Sequence, residues 1–364
     1  TVWSGGNNRD MYYCLCQDLP TLVWLAQIAT LEFHTSLSLA QNLPEPRTLV
    51  FDLDPGPPAT IRCAPPANKP TIEERDRCGG GCGHVLGEDR RSVRGRQARR
   101  VEQILDGQRD PLFGGVNPEP IDSNLGALKQ RVIETKAIVG LATDGDADRV
   151  GAVNELGETM TMHDVVPLIL LHLVRNRKMT GGVVRTFSQS VLLKRIAAAY
   201  NLKLYETAIG FKYIADLMLN DDILIGAEES GGIGLKGHIP ERDGILNSLL
   251  FLEAIVTAGK PPSEMLRDLH REFGEFHFGR RDLHVETSVG QELIDRLAQA
   301  TPPEIAGFAI TGVETTDGTK LLFEDESWLL FRQSGTEPML RIYSEATTME
   351  KSNALLTAGA QLAH

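Results

Sequence analysis

The sequence predicts an α/β fold, and three observations predict it. Between Ala137 and Ala258, short apolar runs of strand length alternate with longer runs of helical spacing. Two of the strand runs end directly in loops of carboxylates or small residues, Asp144–Arg149 and Gly226–Gly232. After Pro261-Pro262 the alternation stops, and strands and helices follow in the mixed order of a small α+β domain. A βαβα order implies a largely parallel sheet with helices on both faces.

The elements follow in order. Ala137–Ala142 reads as a buried strand, and Val150–Val153 with the turn at Asn154–Glu158 reads as a hairpin. His163–Lys178 has the apolar spacing of a helix. Strands are expected at Gly182–Phe187, Lys203–Glu206 and Asp222–Gly226, with helices at Gln189–Tyr200, Gly210–Leu219 and Asp243–Ala258. The last region carries strands at Trp328–Phe331 and Leu340–Ser344 and helices at Gly290–Ala298 and Met349–Ala358. Earlier in the chain, Leu22–Ala29 suits a helix and Thr48–Asp54 a strand, which Pro55-Gly-Pro-Pro58 stops. Residues 55–100 keep neither period. They are rich in Pro, contain Gly79-Gly-Gly81, and crowd Arg90, Arg91, Arg94, Arg96, Arg99 and Arg100 into one stretch, as a loop, a linker or a mistranslated segment would.

Composition narrows the class. The chain has 364 residues, 41% hydrophobic and 24% charged, with a net charge of −12. A mean hydropathy of −0.16, no long apolar run and no leader-like start predict a soluble cytoplasmic protein without a membrane partner. The acidic balance argues against nucleic acid as a general partner. All five cysteines lie before residue 83, an odd clustered set that is no disulfide framework. Cys78, Cys82 and His84 offer three ligands where a structural zinc site wants four, so a glycine-rich linker is the better reading. His163 and His172 lie on a helical pattern and are read as structural.

Three strings carry chemistry. In Asp144-Gly-Asp-Ala-Asp-Arg149, three carboxylates at alternate positions of a strand-end loop can converge on a hard cation such as Mg²⁺. An EF-hand would also find Glu155 at its twelfth position, but its sixth needs Gly and holds Arg149, and the flanks are strands. Arg149 instead suits an anionic phosphate facing the metal. In Gly226-Ala-Glu-Glu-Ser-Gly-Gly232, Glu228 and Ser230 suit sugar hydroxyls, although the string alone fits a flexible turn equally well. In Arg332-Gln-Ser-Gly-Thr-Glu-Pro-Met-Leu-Arg341, Ser334, Thr336, the amides around Gly335 and the two arginines form an anion nest suited to phosphate.

Together, in this order, the strings resemble the α-D-phosphohexomutases, the phosphoglucomutase and phosphomannomutase family. Asp110–Pro120, Gly210-Phe-Lys212 and Glu241-Arg-Asp-Gly244 fit as well, so the resemblance covers residues 101–364. It implies a partial second domain at 101–160, a complete third at 161–274 and a C-terminal phosphate-binding domain at 275–364. It also implies interconversion of hexose 1-phosphate and 6-phosphate with Mg²⁺ on Asp144, Asp146 and Asp148, and hexose 1,6-bisphosphate as activator. Arg149 would meet the transferring group, Glu228 and Ser230 the sugar, and Arg332, Ser334, Gly335, Thr336 and Arg341 the non-reacting phosphate. Lys212 and Arg242 are secondary candidates. The Glu-Glu-Ser-Gly-Gly form is nearer to glucose-preferring members. The family's nucleophile is a phosphoserine in a Thr-x-Ser-His-Asn-Pro loop. No Ser-His-Asn string occurs here, and Ser188 and Ser190 do not match it.

Residues 20–54 resemble a different family, the primase–polymerase domains associated with bacterial DNA end-joining ligases. Leu22–Ala26, Ile28–His34 and Leu49–Gly56 carry the likeness, and His34, Asp52 and Asp54 would match its active-site histidine and metal carboxylates. This implies a primase–polymerase-like fragment at 1–63 followed by an irregular linker at 64–100. Three readings follow: a mutase left catalytically incomplete, a binding remnant for hexose phosphate, and a DNA-processing fusion.

Overall fold

The computed structural model describes residues 113–334 and 338–363, with strand backbone also at 2–4, 9–11, 38–39, 42–46, 83–88 and 100–104. The chain divides into two compact units, 1–78 and 79–364. In the first, β1 (Val2–Ser4) pairs antiparallel with β2 (Arg9–Met11), and β3 (Ser38–Leu39) with β4 (Asn42–Pro46). The helix and strand expected at 22–29 and 48–54 lie outside the described residues. So do His34, Asp52, Asp54, Cys78, Cys82 and the arginines from 90 to 99.

The second unit begins with an antiparallel sheet. Its strands are β5 (Gly83–Glu88), β6 (Arg100–Ile104), β7 (Val139–Thr143), β8 (Val150–Asn154) and β9 (Thr159–Met160), in the order β6-β5-β7-β8-β9. Two expectations change here. The stretch read as an irregular linker contains β5, which pairs with the central strand β7 from Gly83–Ala142 to Leu86–Val139. Its Gly83 and Gly87 hid it, because glycine weakens strand propensity and only pairing reveals the strand. The largely parallel sheet is also absent from this region. Residues 144–149 and 155–158 are too short to carry the chain back across, so β7, β8 and β9 can only meander. Helix α1 (Gly126–Thr135), which the sequence reading did not single out, buries Leu128 and Val132 against this sheet. The fit is close: a Cβ on Gly140 of β7 would meet Val132 Cγ2 at 2.7 Å.

The expected parallel sheet follows. β10 (Gly182–Thr186) lies between β11 (Leu204–Thr207) and β12 (Ile223–Ala227), parallel to both, and β13 (Ile233–Leu235) closes the edge antiparallel to β12. Helices lie on both faces. On β10, Val184 packs with Phe211 and Ile214 of α4 (Phe211–Asn220), while Val183 faces the main core. That core draws on α2 (Met162–Arg175), α3 (Val191–Ala199), α5 (Gly244–Ala258) and α6 (Pro262–Phe273). The caps are those the sequence offers. Thr161 and Asp164 form a capping box on α2, and the carboxylate of Asp243 accepts from Leu246 N at 2.8 Å to start α5.

The last sheet is antiparallel and runs β14-β19-β18-β17-β16-β15. Its strands are β14 (His277–His284), β15 (Glu304–Ile305), β16 (Phe308–Glu314), β17 (Thr319–Phe323), β18 (Trp328–Gln333) and β19 (Met339–Ala346). One face meets α7 (Thr287–Gln299) and α8 (Met349–Leu362) in a core of its own, with Leu293, Leu297, Leu329, Phe331, Ile342 and Leu355 buried. From the other face, Trp328, Leu330 and Tyr343 enter the core of the preceding domain. Alternation along β18 assigns these roles, since successive side chains take opposite faces.

Candidate functional site

The loop between β7 and β8 turns back on itself through Ala147, whose φ is +60°. That reversal brings carboxylate oxygens of Asp144, Asp146 and Asp148 within 4.8 Å of one another. Asp144 is buried, and Arg149 satisfies it from both ends. The Arg149 N–H donates to Oδ1 at 3.0 Å and Nε donates to Oδ2 at 2.5 Å. Burial alone would raise the pKa of Asp144, but these bonds outweigh it and hold the carboxyl below its ordinary value. Asp148 goes the other way. Burial, resisted by Arg242 and reinforced by the charges of Asp144 and Asp146, pushes it up to about 7. Its Oδ1 is buried and accepts no hydrogen bond. Arg149 Nε lies 3.7 Å from it, and a buried carboxylate oxygen without a hydrogen bond among three converging acids is what a hard divalent cation relieves, so the donor set fits Mg²⁺.

Arg149 carries a second contact, Nη1 to Glu119 Oε1 at 3.2 Å. Glu119 was not singled out in the sequence, although it lies in the Asp110–Pro120 string. Its segment wraps the metal loop: Gly145 N donates to Pro118 O at 3.2 Å.

The loop after β12 docks on the same place. Val150 N donates to Gly231 O at 3.1 Å, and Arg149 bridges to Gly232. Gly231 has φ +102°, and a Cβ there would stand 2.4 Å from Val150 O, so glycine alone fits. Glu228 is 5% exposed. Burial first, then the neighbouring Glu229 charge, pushes its pKa up to about 7. Ser188 Oγ donates to Glu229 at 2.6 Å. Arg242 ties the two loops together, with Nη2 2.5 Å from Asp148 Oδ2 and Nη1 3.7 Å from Glu228 Oε2. A residue of secondary rank in the sequence thus occupies a central place.

From the last sheet come Arg332 and Arg341. They are register partners on β18 and β19, so two guanidinium-bearing residues stand directly opposite each other. Like charges in that position are unfavourable, and an anion between them offsets the repulsion. Ser334 is buried, and its N–H donates to Met339 O at 2.9 Å. Gly335 and Thr336 lie outside the described residues.

The two loops and the Arg332–Arg341 pair of the last sheet face one cleft of about 450 Å³. It is lined by Asp144, Asp146, Asp148, Arg149, Glu228, Ser230, Arg242, Arg332 and Arg341. Glu119, Ile209, Gly210, Glu229 and Arg280 complete the lining. Lys212 is not among them; it is exposed on α4, with Nζ 4.9 Å from the Tyr213 ring centre. Arg280 reaches the cleft from β14, paired with Asp282 at 2.8 and 2.6 Å, and no motif in the sequence marks it.

Three family models match in the order of the chain. Residues 100–157 match the phosphoglucomutase/phosphomannomutase alpha/beta/alpha domain II, 163–273 its domain III, and 290–359 its C-terminal domain. A phosphoglucomutase/phosphomannomutase of Thermococcus kodakarensis is 34% identical over 70% of this chain and 53% of its own length. Over residues 100–359 the chain belongs to the phosphoglucomutase/phosphomannomutase family. A phosphoglucosamine mutase of Novosphingobium aromaticivorans is 30% identical over 68% of this chain and 51% of its own length. The crystal structure of a putative phosphomannomutase from Thermus thermophilus is 36% identical. It superposes with a TM-score of 0.61 over 71% of this chain and 53% of that one. The chain therefore spans about half the length of the phosphohexomutases it matches. Residues 1–69 match a different model, the LigD primase-polymerase domain. Among the described residues, no helix is long and apolar enough to cross a membrane.

Proposed function

We propose that the cleft binds a hexose phosphate together with Mg²⁺, in the manner of a phosphohexomutase acting between the 1- and 6-positions of the sugar. The observation that carries this reading is the convergence of an acidic triad, a buried glutamate and a cross-strand arginine pair on one cavity. Asp144, Asp146 and Asp148 would hold the metal, which supplies Lewis-acid stabilisation of a transferring phosphoryl group. Arg332 and Arg341 grip the phosphate that does not react. Glu228, its pKa pushed up to about 7, is about half protonated near neutral pH and can both donate to and accept from sugar hydroxyls. Ser230 lies beside it, and Arg242 keeps the metal loop and the sugar loop in register.

This polypeptide is proposed to bind without turning over at a mutase rate. Its 364 residues contain no Ser-His-Asn string, and the cleft arginines cannot store a phosphoryl group between two half-reactions. Loss of a covalent nucleophile typically costs on the order of 10⁴–10⁶ in rate. Titration calorimetry with the 6-phosphates of glucose, mannose and glucosamine, in Mg²⁺, tests the binding. Arg332→Ala should weaken the best of them roughly tenfold or more. Equal affinity in the variant would remove the phosphate assignment. Glucose 1-phosphate should be converted only negligibly, even with glucose 1,6-bisphosphate added; conversion at an ordinary mutase rate would refute the incompleteness.

A further inference from the structure

We propose that Asp317 is a positioning residue, which aims the Arg332 guanidinium at the sugar phosphate and ties it to the segment beneath the sugar loop. The proposal rests on Arg332 being a phosphate ligand.

Asp317 lies in the turn between β16 and β17 and matches none of the strings that marked the site. Gly318 follows it with φ +94°, and a Cβ there would stand 2.2 Å from Phe331 O. Glycine therefore lets the turn lie flat on β18, one residue from Arg332. One oxygen of Asp317 then accepts two hydrogen bonds. Arg332 Nε donates to Oδ2 at 3.0 Å, and Ile209 N donates to the same atom at 2.8 Å. Ile209 belongs to the preceding domain and lines the cleft together with Gly210 and Glu228. The arginine is thus tied through Asp317 to Ile209, on the wall of the cleft that the buried Glu228 also lines.

Arg332 has somewhere else to go. It borders both the main cleft and an adjoining hollow of about 230 Å³, which Asp317, Gly318, Thr319 and Gln333 also line. Without a partner on Nε, the long side chain can distribute between the two spaces. With that bond made, rotation is restricted and the Nη edge is left for an anion. Binding then forfeits less side-chain entropy, which is worth roughly a factor of two to ten for one long side chain.

The sign of the effect separates this role from a simple charge effect. Removing a carboxylate beside an anion site strengthens anion binding by Coulomb's law alone. Positioning predicts the opposite. The experiment is calorimetric titration of glucose 6-phosphate, in Mg²⁺, into the 364-residue chain and its variants. Asp317→Ala should bind roughly fivefold more weakly, whereas Asp317→Asn, whose amide oxygen can accept both bonds, should bind at least as well as the parent. In the Arg332→Ala background, Asp317→Ala should cause no further loss. Asp317→Ser, too short to reach Arg332, gives the same readout if alanine disturbs the turn. Undiminished affinity in Asp317→Ala and Asp317→Ser overturns the proposal. So does an equal loss in the Arg332→Ala background, which would place the effect in the fold. If Arg332→Ala itself binds like the parent, the phosphate reading of Arg332 fails, and the proposal falls with it.

Discussion

At the scale of single residues, the acidic triad shows how neighbours give identical side chains different states. Asp144 and Asp148 both flank the turn at Ala147, yet the first is held ionised by Arg149 and the second is pushed up to about 7. A cation binding the triad must therefore displace a proton from Asp148 when the solution is below about pH 7. Mg²⁺ affinity should fall roughly tenfold per unit as pH drops below about 7 and level off above it. Calorimetry in buffers of different ionisation enthalpy should find close to one proton released at about pH 6. In Asp148→Asn the steep pH dependence should vanish along with most of the affinity. A pH-independent affinity in the parent chain would place the metal away from Asp148.

At the scale of elements, the site depends on two loops lying against each other. The loop after β12 reaches the metal loop only because Gly231 adopts φ +102° with its Cα against the Val150 carbonyl. Gly231→Ala meets both a steric and a conformational penalty, expected to cost ~1–3 kcal/mol. The larger effect should be on binding, because the loop must retreat and take Glu228 and Ser230 with it. Glucose 6-phosphate affinity should fall roughly tenfold or more. Gly237→Ala, on an open turn with φ +85° and no atom within 4 Å of its Cβ, should leave affinity unchanged. Equal affinities for both variants would show that the docking does not matter to the ligand. Gly244 makes the matching approach on the other side, where a Cβ would stand 2.4 Å from Arg149 O at the start of α5.

At the scale of the whole second unit, the two C-terminal domains are locked by one buried carboxylate. Glu345 on β19 accepts from Ser190 Oγ at 2.5 Å, Val191 N at 2.9 Å and Trp328 Nε1 at 2.9 Å, and His163 Nδ1 lies 3.0 Å away. Burial alone would raise its pKa, but His163 and these donors hold it at about 2. Because that value lies below the unfolded one, the unfolded chain binds the extra proton. The contribution is fully present above about pH 4.5 and is lost as pH falls through about 2. Glu345→Gln keeps the shape but turns an amide donor toward other donors. It should cost ~2–4 kcal/mol, read as a melting transition lower by on the order of 5–10 °C at neutral pH. In the parent chain that transition should fall between about pH 4.5 and about 2, and the variant should lack part of the fall. A variant that melts like the parent would show that the lock carries no stability.

Local chemistry made much of this legible in the amino-acid order. Three aspartates at alternate positions after a strand mark a candidate cation loop, because the spacing already places them within reach of one ion. The parallel sheet at 182–227, its helices, and the C-terminal strands at 328–331 and 340–344 follow from periodicities of about two and about 3.6 residues, which are local properties. Helix α1 and several strands of the last sheet were not marked in advance, and β5 and the direction of the first sheet escaped for one physical reason. β5 is held by pairing with β7, and the short β7–β8 loop sets an antiparallel sheet where alternating elements had implied a parallel one. Strand pairing joins residues far apart in the chain and leaves little trace in either strand alone. The site divides in the same way. Asp144, Asp146, Asp148, Glu228, Arg332 and Arg341 each sit in a string with its own local logic, and the fold brings them to one cleft. Arg280 and Asp317 carry no such signal, Glu119 is only one residue of a longer matching string, and Lys212 sits in a matching string yet lies on the surface. Their places were decided only when separate domains closed on one cleft, because a side chain's neighbours across that cleft are a property of the packed fold.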